Sequence, residues 1–88
     1  VNVNVIQFKE IFSVFPNPTT DILHINYSGS ENMFYTLTLT NATGAEVFKL
    51  QNFNSNKEIN VKSFPAGVYF YTIYVDDKSI QSGTIVKN

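Results

Sequence analysis

Side-chain catalysis needs a nucleophile, a base or a metal ligand set gathered in one pocket, and the candidates in this chain are few. The only histidine, His24, falls on the polar side of the alternating run Ile22-Leu-His-Ile-Asn-Tyr27. It has no cysteine to pair with and no Glu-x-x-His or Gly-x-Ser-x-Gly setting, so it reads as a surface histidine. Asp76 and Asp77 are adjacent carboxylates, but a hard cation gathers about six to eight oxygens. They read as a polar hairpin turn. Asn17, Thr19 and Asp21 have the alternate spacing of a loop calcium site, yet Pro18 intervenes and neither a glycine nor a distal glutamate completes it. No catalytic residue, metal or other cofactor is expected.

Binding chemistry is equally sparse. Phe70 and Tyr74 could form a platform for stacking a sugar, although packing between sheets explains them as well. Asn26-Tyr-Ser28 and Asn41-Ala-Thr43 match the glycosylation acceptor pattern, which short sequences often match by chance. Six lysines, no arginine and seven acidic residues leave a net charge of -1, without the basic footprint that nucleic acid requires. Absence of cysteine excludes a disulfide framework and thiolate zinc. No apolar run reaches the roughly 18 residues of a membrane-spanning helix.

The elements that would carry these residues have a period of two. Leu23, Ile25 and Tyr27 alternate with Ile22, His24 and Asn26, and Tyr35, Leu37 and Leu39 alternate with Thr36, Thr38 and Thr40, as half-buried strands do. Asn41-Ala-Thr-Gly44 predicts a hairpin turn into the returning strand "AEVFKL". "NFNSN" predicts a loop, "EINV" a short strand and "SFPAG" a second turn. In "GVYFYTIYV" both faces are apolar, Tyr69, Tyr71, Ile73 and Val75 on one and Val68, Phe70, Thr72 and Tyr74 on the other. This predicts a central strand. "KSIQSGTIVK" closes the sheet, with Gly83 expected at a bulge or close approach. No segment has helical periodicity.

About seven short strands in 88 residues predict an all-β fold, a small antiparallel immunoglobulin-like β-sandwich. A small barrel is the alternative. Tyr69, opening a long strand after Pro65-Ala-Gly67, is placed to hydrogen-bond back to the preceding corner. Another corner, Phe15-Pro-Asn-Pro-Thr-Thr-Asp21, is stiffened by Pro16 and Pro18, which fix their own φ and hold Phe15 and Asn17 extended. The chain is expected to leave the sheet of its first strand here and to be re-aimed in a stiff crossover. Side-chain oxygens of Thr19, Thr20 and Asp21 are expected to satisfy loop amides. Residue 1 does not read as a natural start, whereas "TIVKN" reads as an end.

"VFPNPTTDILHI", "LTNATGAEV", "INVKSFPAGVYFYTI" and "GTIVK", taken in this order, closely resemble the type A C-terminal sorting domain of the type IX (Por) secretion system. The resemblance covers residues 12 to 88. Its pattern falls on Pro16, Asn17, Pro18 and Asp21, on Gly44, on Pro65, Gly67 and Tyr69, and on the closing Ile85, Val86 and Lys87.

The resemblance implies an immunoglobulin-like sandwich that directs an upstream cargo, joined in cis, across the outer membrane of a Gram-negative bacterium. The implied partners are the type IX translocon and a sortase-like peptidase that removes the domain. The implied destination is the cell surface or medium, reached through the periplasm. Residues 1–10 are then a linker from the cargo, and 11–88 the sorting domain. In this family the closing strand is commonly richer in lysine, whereas here Gln81-Ser-Gly-Thr84 separates Lys78 from Lys87. The strand from Ser79 to Lys87 is expected to offer an unpaired edge to a partner sheet, with Ile85, Val86 and Lys87 as recognition residues. The rival reading is a carbohydrate-binding or adhesion sandwich retained on the mature protein. A passive spacer is the third.

Overall fold

The computed structural model describes residues 12–29 and 33–88. Seven strands, β1 (Phe12–Phe15), β2 (Ile22–Tyr27), β3 (Tyr35–Asn41), β4 (Glu46–Phe53), β5 (Lys57–Asn60), β6 (Gly67–Val75) and β7 (Lys78–Lys87), form two antiparallel sheets. One has the order β1-β2-β5 and the other β4-β3-β6-β7. Among the described residues there is no helix. The expected extension over 1–10, and Ile11 at the head of the first strand, lie outside the described residues.

The alternation read from the sequence decides what is buried. Leu23 and Ile25 of β2, Tyr35, Leu37 and Leu39 of β3, and Tyr69 and Ile73 of β6 all turn into the space between the sheets. Phe12, Phe53, Ile59, Val61 and Ile85 complete this core. At one end Phe12 packs edge-on against Tyr35 with ring centroids 4.9 Å apart and lies 5.4 Å from Phe53. Such aromatic pairs contribute about 0.5 to 1.5 kcal/mol each beyond their buried area. β6 is central, between β3 and β7.

One local expectation is corrected and a second, left between two alternatives, is decided. "NFNSN" is not all loop, because β4 continues through Asn52 and Phe53. Leu37 stands opposite Leu50 and Tyr35 opposite Phe53, so Gln51 and Asn52 share the place facing Thr36. This bulge, with Asn52 at a φ of 55°, returns the Phe53 ring to the core. Gly83 is a close-approach position and not the bulge. A Cβ placed there would lie 2.5 Å from the Tyr71 ring. The bulge in β7 lies three residues earlier, where Ile73 faces Gln81 and Tyr74 faces Ser79, leaving Ile80 extra.

The crossover expected at the proline corner is corrected: the corner joins two neighbouring strands of one sheet. β1 and β2 are antiparallel neighbours, with Phe15 opposite His24. Between them the chain leaves this sheet and Thr19 forms an isolated parallel bridge to Lys87 of the other sheet. It is back in its own sheet at Ile22. Both X-Pro bonds in the corner, Phe15-Pro16 and Asn17-Pro18, are cis.

Candidate functional site

The corner and the closing strand form one seam. Asn17 is exposed, yet its side-chain amide does the work of a strand. Nδ2 donates to the Thr84 carbonyl at 2.9 Å and Oδ1 accepts from the Val86 N–H at 2.9 Å. Two residues on, the Thr19 N–H donates to the Val86 carbonyl at 2.9 Å, and the Thr19 carbonyl accepts from the Asn88 N–H at 2.9 Å. The Thr19 side chain is buried, its hydroxyl donating to the Ile22 carbonyl at 3.0 Å. Further up the strand the roles are exchanged. Gln81 of β7 accepts from the Phe12 N–H at 3.3 Å and donates to the Phe12 carbonyl at 2.8 Å. Its Nε2 also donates to the Tyr71 hydroxyl at 3.3 Å.

These contacts correct the expectation of an unpaired terminal edge at its last residues, Thr84 to Asn88. β7 is the outermost strand of its sheet, but the Thr84 carbonyl, both peptide groups of Val86 and the Asn88 N–H are held by Asn17 and Thr19. The preceding stretch carries the Ile80 bulge and Lys78, both features that discourage a further strand from pairing. The loop is also satisfied differently from expected. Thr19 uses its backbone, and Asp21 accepts from the Val61 N–H with its main-chain carbonyl at 2.8 Å. The calcium reading of Asn17, Thr19 and Asp21 finds its first two side-chain oxygens engaged within the chain.

The three recognition candidates on β7 separate by face. Ile85 is 3% exposed and Lys87 8%, both turned into the sandwich, while Val86 is 37% exposed on the outer face. Lys87 reaches the Asn88 carbonyl with Nζ at 2.8 Å. Val86 stands beside Val68, and Phe70 beside Thr84 on one side and Thr40 on the other. Val68, Phe70 and Val86 are exposed apolar residues on one side of the β4-β3-β6-β7 sheet, in an uncharged surround of Thr40, Thr72, Ser82 and Thr84.

The remaining candidates hold the frame. Tyr69 donates its hydroxyl to the Pro65 carbonyl at 2.6 Å, the corner bond that its position announced, and its ring lies 5.7 Å from Phe64. Gly67, at a φ of 150°, sits in backbone that side-chain-bearing residues avoid. Gly44, at a φ of 89°, closes the β3–β4 turn, where Asn41 Oδ1 accepts from the Thr43 and Ala45 N–H groups at 3.1 and 3.0 Å. His24 stacks on Phe15 with centroids 5.3 Å apart and lies 3.7 Å from Glu58. Exposed pairs of this kind contribute little.

Sequence reasoning missed Gln81. It stood out only as a residue where lysine was expected, and the signal was the amide itself, able to pair with a peptide group as a backbone does.

A two-sheet sandwich whose first edge crosses to the last strand defines an immunoglobulin-like domain. The fold is that of a DUF3244 family protein with an immunoglobulin-like β-sandwich fold from Bacteroides vulgatus ATCC 8482, with a TM-score of 0.75 at 21% identity over 89% of this chain and 85% of that one. Comparison with curated proteins gives no significant match. Residues 13–87 match the secretion system C-terminal sorting domain family, and the chain belongs to that family. It is a type IX sorting domain, whose setting is a cargo in cis and export through the outer membrane.

Proposed function

We propose that this domain is the non-enzymatic handle by which the type IX translocon exports its cargo, that the translocon reads it as a folded sandwich, and that a sortase-like peptidase then removes it. The observation that carries this reading is the seam. Asn17 and Thr19 of the corner and Thr84 and Val86 of the closing strand, all within the family match, are far apart in sequence and are joined by hydrogen bonds. A linear tag would need no such closure.

With the last residues of the terminal edge held by the corner, the reading surface is assigned to side chains. The reading surface is the outer face beside β7, formed by Val68, Phe70 and Val86. Ile85 and Lys87 act from the inside, holding the strand that presents Val86. The test is to fuse residues 11–88 behind an inert periplasmic reporter and follow it in strains with and without the type IX machinery. Export only where the machinery is present supports the handle. Periplasmic retention in both strains contradicts it.

A further inference from the structure

On the other half of the same sheet lies a groove of about 710 Å³, within the range of about 300 to 1,000 Å³ typical of ligand sites. It is set away from the seam, at the end where β3 begins and the β6–β7 turn closes. Phe34, 59% exposed, and Tyr74 supply its aromatic surface. Thr36, Thr38, Gln51 and Asn52 supply neutral hydrogen-bonding groups, and Asp76 and Asp77 close one wall.

A second feature converges on the groove. Among the described residues, the only non-glycine residues with positive φ are Asn52, Asp76 and Asp77, and all three line it. Asp76 and Asp77 are the two central residues of the β6–β7 hairpin, whose turn type takes a positive φ at both, and Asn52 lies in the β4 bulge. Here the Asn52 bulge and the Asp76-Asp77 turn shape the concavity from two sides.

We propose that this groove binds a neutral oligosaccharide. It lies over a sheet face, where Thr36, Thr38, Lys49 and Tyr74 are cross-strand neighbours. A ligand seated there meets hydroxyls, amides, carboxylates and aromatic faces. Sugar rings match that set, with hydroxyls for the polar groups and C–H faces for Tyr74 and Phe34. Charge narrows the class. Glu46, Asp76 and Asp77 against Lys49 give the lining three negative charges to one positive, a net of -2, which repels uronic acids and phosphorylated sugars. This goes beyond the sorting reading and does not depend on it. The contact would act while the domain is joined to its cargo.

The test is an amide chemical-shift titration of the 88-residue chain with mannohexaose, maltohexaose and chitohexaose, and with an oligogalacturonate as the anionic control. At least one neutral hexamer is expected to move the signals of Gln51, Asn52, Tyr74 and Asp77, with the oligogalacturonate binding about tenfold weaker or not at all, a difference of about 1.4 kcal/mol. Tyr74→Ala should weaken binding by about tenfold or more, and Gln51→Ala, at an exposed position that leaves the fold intact, should weaken it measurably. If none of the neutral hexamers moves these signals, if the anionic one binds as well, or if Gln51→Ala and a folded Tyr74→Ala variant both bind like the parent chain, the proposal is wrong.

Discussion

Asn17 stands beside Val86 as a neighbouring strand would, accepting the Val86 N–H at 2.9 Å while its Nδ2 reaches the Thr84 carbonyl at 2.9 Å. One carboxamide thus covers two peptide groups of the closing strand. The backbone of Thr19 covers the next two. The closing strand is therefore fastened along both sides near its end, by β6 and by the proline corner.

Asn17→Ala should remove both side-chain bonds and leave the Thr84 carbonyl and Val86 N–H to water. At about 0.5 to 1.5 kcal/mol net per bond, the loss should be about 1 to 3 kcal/mol, nearer the lower end because the site is exposed. Urea unfolding measures the total. Hydrogen exchange should show the Val86 amide exchanging much faster while the Ile73 amide changes little. Unchanged Val86 protection would mean that the Thr19 bridge holds the strand alone.

At Tyr69 two substitutions separate the ring from the hydroxyl. Tyr69→Phe should lose the bond to Pro65 and cost about 1 kcal/mol, whereas Tyr69→Ala should cost about 3 to 5 kcal/mol by emptying the core beside Phe64. Equal effects in thermal unfolding would show that the corner bond and not the ring governs stability.

Gly83→Ala should force its new methyl against the Tyr71 ring, at a cost of about 1 to 3 kcal/mol. Combining it with Tyr71→Ala should recover part of that cost, since the two sites share one contact. Strictly additive losses would argue that the strain lies elsewhere in β7.

Removal of the domain after export is checked by the intact mass of the secreted parent protein. The expected mass lacks the sorting domain. A mature protein that retains residues 12–88 would contradict removal and leave the export role standing.

Strand and face assignments were legible because burial in a sheet has a period of two, which Tyr35-Thr-Leu-Thr-Leu39 displays openly. The Tyr69 corner was legible for a related reason, a tyrosine placed just after a Pro/Gly turn. The seam was not. A side-chain amide that replaces a strand has no periodic signature, and Asn17 and Gln81 look like any polar residues until the fold brings 12–19 beside 81–88. The inward turn of Lys87 was hidden for the opposite reason. Its charge suggests solvent, but its position alternates with Val86 and follows Ile85 onto the buried face. Recognition by family resemblance supplied the setting, a cargo and a translocon, that no residue of this chain encodes chemically.

The central claim is that the translocon reads the folded sandwich from its Val68, Phe70 and Val86 face. It is tested most directly by measuring the fraction of a reporter exported when residues 11–88 are fused behind it, with and without Val68→Asp and Phe70→Asp. Both positions are exposed, so folding should survive, and protease resistance of the periplasmic pool confirms that it has. The expected result is export of the parent fusion and periplasmic retention of the folded double variant. Export of the double variant at the parent's level would contradict the reading face, and failure of the parent fusion itself would contradict the sorting function.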